Sequence, residues 1–406
     1  MQTNLSQRAR QLRGAEVAEA VLRTCVHCGF CNATCPTYQL LGNELDGPRG
    51  RIDLIKQMLE TGEANASTRL HLDRCLTCRN CETTCPSGVR YSQLLDVGRL
   101  TLEEWAEPRP AAERLQRRLL RATLPNAPLV NVLVATGAAL RLLLPKTLAA
   151  KLPRAKASPP SRPSRRHTRA VLMLEGCVQP ALSPNTNAAT ALVLDRLGVR
   201  VVPAAQAGCC GAVDFHLDAQ DQGLDRARRN INAWWPAIEA GAEAIVLTAS
   251  GCGAFVKEYG HLLRDDPAYA AKAERVSALA RDLVEVLRDE PLERLRVRGG
   301  QKIAFHCPCT LQHAQRLGGA VEGVLARLGF ELTAVPDGHL CCGSAGTYSL
   351  TQPELSRQLR DRKLDALESG RPELIATANI GCQMHLDGAG RTPVTHWIEL
   401  VAEAMD

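Results

Sequence analysis

The chain is poor in aromatic side chains and lacks the sequence signals of secretion and of several enzyme classes. Phe, Trp and Tyr make up 3% of its 406 residues, so its cores must be built mainly from Leu, Val and Ala. The first residues, MQTNLSQRARQLRG, contain no apolar run after the basic residues, which argues against a secretory signal. No G-x-G-x-x-G, Walker or G-x-S-x-G sequence occurs, so no signal indicates a flavin, nucleotide or acyl-transfer site.

No segment has the composition of a membrane-spanning helix. The long uncharged run Ala122 to Leu140 contains two prolines and two asparagines in its first half, whereas a span needs about 20 mainly apolar residues. We expect a helix packed on the protein or at an interface.

Further along the chain, the stretch Arg154 to Arg169 carries six Lys or Arg, no acid and several prolines. It is typical of a solvated linker, or of a strip that contacts an anionic membrane surface. It has no interleaved aromatic residue, which argues against nucleic-acid binding.

Cysteine is the abundant unusual residue, and it occurs 17 times. The odd number argues against complete disulfide pairing. In a reducing cytosol such a content indicates metal binding or redox chemistry. Eight of these cysteines lie in two runs of identical spacing, CVHCGFCNATCP from Cys25 to Pro36 and CLTCRNCETTCP from Cys75 to Pro86.

The spacing C-x2-C-x2-C-x3-C-P predicts two [4Fe-4S] clusters of the bacterial ferredoxin type, in which the fourth cysteine of each run binds the other cluster. Zinc sites built from C-x2-C pairs are the alternative, but they would leave thiolates of each run without a role. His27 and His71 are expected to be hydrogen-bonding or surface residues. The predicted ligands are Cys25, Cys28, Cys31 and Cys85 for cluster 1, and Cys75, Cys78, Cys81 and Cys35 for cluster 2.

The order of elements predicts a helical ferredoxin-type domain followed by two α/β domains. PRGRIDLIKQMLE, which Pro48 opens, has the apolar spacing of a helix. From Arg169 on, short apolar strands alternate with helical stretches, and four strands are each followed closely by cysteine, which predicts parallel sheets with sites at the carboxyl edge. The predicted segments are 1–105 for the ferredoxin-type domain, 106–168 for a helical and then Pro/Arg-rich connector, and 169–290 and 291–406 for the two cysteine-rich domains.

The two α/β segments are an internal repeat. Cys177 and Cys209 lie 32 positions apart, as do Cys309 and Cys341, and GCCG at 208–211 matches LCCG at 340–343. The glycines Gly211 and Gly343 would permit the sharp turn that a Cys-Cys pair needs. Buried structural cysteine is the alternative explanation. The cysteines that could meet are Cys177, Cys209, Cys210 and Cys252 in one repeat, and Cys309, Cys341, Cys342 and Cys382 in the other, with Cys307 spare.

These motifs carry a family resemblance. The two CCG repeats resemble the cysteine-rich domain of heterodisulfide reductases and of electron-transfer subunits of flavin dehydrogenases. Together with RTCVHCGFCNATCPTYQLLGNELDGPRGRI and HLDRCLTCRNCETTCPSGVRY, the whole chain resembles the iron–sulfur subunit of bacterial glycolate oxidase (glycolate dehydrogenase). The resemblance implies two flavoprotein-type partner subunits, one of which oxidises the 2-hydroxy acid. The chain departs from the fullest pattern at Ala249 and Asn379, where that pattern has cysteine. Four-thiolate ligation, one shared site and no metal in the repeats therefore all remain open.

The resulting hypothesis is an iron–sulfur electron-transfer subunit with no catalytic residue and no flavin of its own. It would pass electrons from a flavoprotein that oxidises glycolate to glyoxylate, or D-lactate, toward a quinone-type acceptor. We expect the chain alone to be inactive, cytoplasmic and able to make peripheral contact with the inner membrane. The alternatives are a thiol–disulfide reductase acting at the CCG repeats, and the iron–sulfur subunit of an anaerobic glycerol-3-phosphate dehydrogenase.

Overall fold

The computed structural model describes residues 1–140 and 167–405, so most of the basic stretch 154–169 lies outside the described residues. The chain forms two compact units. The first consists of Met1–Arg118 and His339–Leu359, and the second of Leu119–Gly338 and Arg360–Asp406. Every helix in the described part of the chain is too short or too polar to span a lipid bilayer.

The N-terminal part of the chain is helical, as predicted. Its helices are α1 Ala15–Thr24, α2 Phe30–Ala33, α3 Pro36–Leu41, α4 Pro48–Thr61, α5 Ala66–Asp73, α6 Asn80–Thr84, α7 Tyr91–Trp105, α8 Ala111–Thr123 and α9 Ala127–Ala139.

Helix α4 forms the centre of the first unit. Proline is favourable at its first position, because the N–H that proline lacks would have no partner in the helix. The helix ends at Gly62, which has a φ of 78°. Ile52, Ile55 and Leu59 are buried, as the apolar spacing predicted, and pack with α1 and α7 into one core.

The second unit contains two four-stranded parallel sheets. The strands are β1 Arg169–Leu174, β2 Val199–Val202, β3 Ile245–Leu247, β4 Ala280–Asp282, β5 Lys302–His306, β6 Glu331–Leu332, β7 Leu374–Thr377 and β8 Val394–His396. The strand orders are β2-β1-β3-β4 and β6-β5-β7-β8. In the first sheet Leu172 pairs with both Val202 and Ile245. The same order in both sheets confirms the predicted duplication of one α/β fold.

Helices connect these strands and cover the sheets. They are α10 Gln179–Leu182, α11 Pro184–Arg196, α12 Ala212–His216, α13 Gln220–Glu239, α14 Ser250–Val256, α15 Tyr259–Leu262, α16 Ala270–Leu279, α17 Leu283–Leu287, α18 Ala320–Arg327, α19 Tyr348–Thr351, α20 Pro353–Glu368, α21 Ile380–Asp387 and α22 Trp397–Glu403.

The two repeats share one hydrophobic core. It joins side chains of the first sheet and α11 to side chains of the second sheet and α22, including Val193, Phe305 and Trp397. A buried polar contact lies in the same interface, where Glu399 accepts hydrogen bonds from Ser183 and Thr186. Burial of a carboxylate is costly unless its oxygens are hydrogen-bonded, so this contact favours one relative position of the two repeats.

Candidate metal centres

The two cysteine runs of the first unit adopt the same backbone conformation. The residues on either side of the second cysteine have left-handed φ angles in both runs, 60° at His27 and 86° at Gly29, and 54° at Thr77 and 61° at Arg79. This conformation winds the chain tightly between the first and the third cysteine of a run. The third cysteine lies on the short helix that follows the turn, Cys31 on α2 and Cys81 on α6, and the fourth cysteine comes directly after or shortly after the end of that helix.

Each of two cavities is lined by thiols from both runs. One cavity, here called the Cys28 cavity, lies beside the first run, and the other, the Cys78 cavity, lies beside the second run; both are partly open to solvent. The structure thus brings together the residues that the sequence predicted as two sets. The Cys28 cavity is lined by Cys25, Cys28, Cys31, Cys81 and Cys85, and the Cys78 cavity by Cys35, Cys75, Cys78 and Cys81, so Cys81 lines both.

The electrostatics of these cavities fit a cofactor that binds thiolates. Burial, reinforced by the neighbouring Cys25, Cys85 and Cys28, raises the pKa of Cys31 to about 11. Burial, together with Cys78, Cys75 and Cys35, raises the pKa of Cys81 well above its usual value. Positive charge close to Cys31 and Cys81 would therefore favour their thiolate forms. Soft thiolate donors suit the iron of an iron–sulfur cluster, so the residues present fit this cofactor.

The two histidines near the runs are placed as the sequence predicted. His71 is buried, and its Nδ1 lies 2.9 Å from Asp46 Oδ1. His27 is exposed.

The first α/β repeat brings its four predicted cysteines together. Cys209 contacts the thiols of Cys177 and Cys210, and Cys210 also contacts Cys252. Hydrogen bonds from the Cys177 and Cys210 thiols lower the pKa of Cys209 well below its usual value, and the same contacts raise the pKa of the two donors. The arrangement brings four buried or half-buried sulfur donors together.

Buried polar side chains hold the turn that carries Cys209 and Cys210. The amide of Asn230 donates to the carbonyl of Cys209 at 3.0 Å and accepts from the N–H of Gly208 at 2.9 Å. The hydroxyl of Tyr259 donates to the carbonyl of Cys210 at 2.5 Å. Both Asn230 and Tyr259 are fully buried, so the turn has little freedom to move.

The cysteines predicted for the second repeat are divided between the two units. Cys309 and Cys382 belong to the second unit, and Cys341 and Cys342 to the first; all four are buried. The N–H of Gly343 donates to Cys341 Sγ at 3.4 Å, which matches the 3.5 Å bond from Gly211 to Cys209 Sγ in the first repeat.

Within the first unit, the segment 339–359 packs against the second cysteine run. The hydroxyl of Tyr348 donates to the carbonyl of Arg74, next to Cys75, at 3.1 Å. The amide of Asn80 donates to the carbonyl of His339 at 3.1 Å. These two hydrogen bonds hold the segment that carries Cys341 and Cys342 next to the Cys78 cavity.

Asn379 takes a specific role at the position where the fullest pattern has cysteine. Its Nδ2 donates to Cys382 Sγ at 3.4 Å, and its Oδ1 accepts from the N–H of Gly251 at 3.3 Å. Gly251 precedes Cys252 on α14. One amide thus joins a thiol of the second repeat to the helix that carries a thiol of the first.

Sequence reasoning missed His306 as a candidate site residue. A ring nitrogen of this buried histidine lies within 4.8 Å of Cys382 Sγ. Neither ring nitrogen has a hydrogen-bond partner among the described residues. Burial, with Lys363 and His385 nearby, lowers the pKa of His306 well below its usual value, so the ring is neutral. The sequence feature that could have indicated His306 is its position in FHCPC, at the end of β5 and next to a cysteine.

Comparison with known proteins agrees with this organisation. Residues 21–89 match the 4Fe-4S dicluster domain family, and residues 171–257 and 303–387 match the Cysteine-rich domain family, CCG. The chain is 66% identical, over the full length of both chains, to the glycolate oxidase iron-sulfur subunit of Escherichia coli K12. It is 30% identical to the probable glycolate oxidase iron-sulfur subunit of Bacillus subtilis 168, covering 95% of this chain and 94% of that one. It is 31% identical to lactate utilization protein A of Bacillus velezensis, covering 52% of this chain and 88% of that one.

Proposed function

Because the chain belongs to the family of glycolate oxidase iron–sulfur subunits, we propose that it carries electrons from a flavin-bearing subunit that oxidises glycolate toward a quinone-type acceptor. The observation that supports this most directly is the pair of cavities, one lined by five cysteines and the other by four, with Cys81 common to both. When bound, each [4Fe-4S] cluster takes up and releases one electron. The side chains of this chain hold the thiols in place, and the buried ones, such as Cys25, Cys35 and Cys81, are shielded from water.

The ligand sets that we propose combine the two cysteine runs. Cys25, Cys28, Cys31 and Cys85 would hold one cluster, and Cys75, Cys78, Cys81 and Cys35 the other. The support is that Cys35 lines the cavity of the second run and Cys85 the cavity of the first.

Electron paramagnetic resonance of reduced variants tests these sets. Cys35→Ser should remove the signal that Cys78→Ser also removes, and leave the signal that Cys28→Ser removes. Cys85→Ser is the matched variant and should show the reverse pattern. If Cys35→Ser and Cys28→Ser removed the same signal, each run would bind its own cluster and the proposed sets would be wrong.

A flavoprotein partner is part of the proposal. Oxidation of a 2-hydroxy acid removes two electrons together as hydride, whereas the proposed clusters transfer single electrons, so a flavin must divide the pair. The sequence contains no motif for a flavin site. Purified alone, the chain should be reducible by dithionite but should not oxidise glycolate or D-lactate with an artificial acceptor. Addition of the flavin subunits should restore oxidation, and glycolate oxidation by the single chain would contradict the proposal.

For the α/β repeats we propose a further iron–sulfur group, held in the first repeat by Cys177, Cys209, Cys210 and Cys252. The contacts among their thiols support it. Iron analysis of anaerobically purified protein should give about twelve irons per chain, whereas the two ferredoxin-type clusters alone give about eight. Eight irons, with disulfide reduction that is lost in Cys209→Ser, would instead support a thiol–disulfide reductase.

The proposed location is the cytoplasm, with reversible contact to the anionic face of the inner membrane. The support is the basic stretch Arg154 to Arg169, since such stretches bind anionic lipid surfaces through charge. High salt should release the complex from membranes, because salt screens this attraction. Retention at high salt would contradict electrostatic binding.

A further inference from the structure

Arg51 is a fully buried cation beside the thiols of the Cys78 cavity. It lies on α4, lines this cavity, and has a side chain that is 1% exposed. Its Nη1 lies 3.9 Å from Cys35 Sγ. Two further hydrogen bonds hold the guanidinium in this position, from Nε to the carbonyl of His71 at 2.8 Å and from Nη2 to Thr37 Oγ1 at 3.1 Å.

The neighbouring anion only partly compensates the charge of Arg51. Asp46 Oδ1 lies 3.6 Å from Arg51 Nη2, but the same carboxylate accepts from Arg74 at 3.0 Å and lies 2.9 Å from His71 Nδ1. The carboxylate therefore faces two guanidinium groups. One of them, Arg51, is also within hydrogen-bonding distance of Cys35 Sγ, so this sulfur lies next to a positive charge that Asp46 only partly compensates.

The Cys28 cavity contains a cation in a different environment. Arg49, also on α4, lines that cavity. Its Nε pairs with Glu44 Oε1 at 2.6 Å, and the two side chains are 34% and 41% exposed. A paired charge in contact with water has a weak field, because its partner cancels it and the solvent screens it.

We propose that Arg51 is a tuning residue that holds the cluster bound by Cys35, Cys75, Cys78 and Cys81 at a higher reduction potential than the other cluster. Reduction adds one negative charge to a cluster, and an unscreened positive charge at its sulfur ligand stabilises that charge. A hydrogen bond donated to a ligand sulfur acts in the same direction. The inference rests on the ligand sets proposed above.

Within the first unit, the proposal assigns the higher reduction potential to one cavity and the lower to the other. Tyr348 holds the segment that carries Cys341 and Cys342 next to the Cys78 cavity, through its hydrogen bond to the carbonyl of Arg74. The higher potential would therefore lie on the side of the CCG turn, and the lower potential on the side where Cys28 is exposed.

Redox titration followed by electron paramagnetic resonance tests the inference, with each signal assigned through Cys28→Ser and Cys78→Ser. In the unsubstituted protein the signal lost in Cys78→Ser should titrate at the higher potential. In Arg51→Gln, the ratio of reduced to oxidised cluster at a fixed ambient potential should fall at least tenfold for this signal, which corresponds to about 59 mV for one electron. The other signal should not move.

Two further variants make the test independent of the stability of Arg51→Gln. Asp46→Asn keeps the shape of the side chain but removes the compensating anion, so it should raise the potential of the same signal. Arg49→Gln removes the matched cation of the other cavity and should leave both potentials unchanged.

The outcomes separate this inference from the proposed ligand sets. If Cys35→Ser and Cys28→Ser removed the same signal, the ligand sets would fail. If the sets held but neither Arg51→Gln nor Asp46→Asn moved its signal, Arg51 would not be a tuning residue. If both variants lost the cluster, equal potentials for the two signals in the unsubstituted protein would still overturn the inference.

Discussion

At the scale of single residues, Asp282 shows how burial changes the protonation of a polar side chain. It lies at the end of β4, where its Oδ1 accepts from the N–H of Val284 and caps α17. Burial raises its pKa to about 7. Its Oδ2 accepts from Gln315 Nε2 at 3.3 Å.

Asp282→Asn should increase the free energy of unfolding at pH 8 and have little effect at pH 4. The folded-state pKa lies above the usual value of 3.8, so the contribution of Asp282 to stability falls as the pH rises from about 4 to 7 and stays low above that. The shift sets an upper bound of about 4 kcal/mol on the gain. Urea unfolding at pH 4 and at pH 8 measures it.

The matched control for this prediction is Asp266→Asn. The hydrogen bond from Arg228 lowers the pKa of Asp266, so its loss should not stabilise the protein at pH 8. Equal effects of the two substitutions at pH 8 would contradict the assignment of a raised pKa to Asp282.

At the scale of elements, the turn Cys-Cys-Gly is the feature that both repeats share. Gly211 and Gly343 have φ angles of 103° and 85°. A Cβ at Gly211 would lie 2.4 Å from the carbonyl oxygen of Gly223, and one at Gly343 would lie 2.6 Å from that of Ser356. The turn therefore requires glycine for two reasons, a left-handed backbone and close contact with a helix.

Gly211→Ala should destabilise the protein more than Gly198→Ala does. Both positions have a left-handed φ, which costs an alanine about 1–2 kcal/mol, but Gly198 has no atom within 4 Å of the added Cβ. The clash at Gly211 should raise the loss to about 3 kcal/mol or more. Urea unfolding of the two variants measures the difference, and equal losses would contradict the role of the backbone contact.

At the scale of the whole molecule, one cysteine of the first run is accessible to a partner. Cys28 is exposed, and Val26 and Phe30 in the same run are 66% and 63% exposed. Large apolar side chains that remain in water next to a redox centre are typical of a docking surface. The flavoprotein donor proposed above would have to bring its flavin close to a cluster, and this exposed loop would allow that approach.

Phe30→Ser should slow the reduction of the clusters by the glycolate-reduced flavin subunits about tenfold, because it removes apolar contact area from the docking surface. The iron content and the reduction by dithionite should not change. Stopped-flow absorbance measures the rate. Leu115→Ser is the control, since Leu115 is 59% exposed but lies on α8, away from the cysteine runs in sequence. An equal effect of both substitutions would contradict docking at Phe30.

The sequence by itself determined the class of cofactor and the duplicated α/β fold, and it predicted which cysteines take part. These features depend on short-range order, because C-x2-C-x2-C spacing sets which thiols one loop can present, and apolar strands followed by cysteine place sulfur at the carboxyl edge of a parallel sheet. The ferredoxin-type and α/β organisation is confirmed, whereas the two ligand sets and the group in the repeats stay predictions.

Only the tertiary structure decided which residues surround those cysteines. Arg51 follows Cys35 by 16 positions and His306 precedes Cys382 by 76, and no local pattern indicates that either pair is close. The same holds for the amide of Asn379, which reaches Gly251 in the other repeat, and for Tyr348, which reaches Arg74. Such contacts form only when distant elements pack into a common core, so the fields and hydrogen bonds that act on the sulfurs depend on the whole fold.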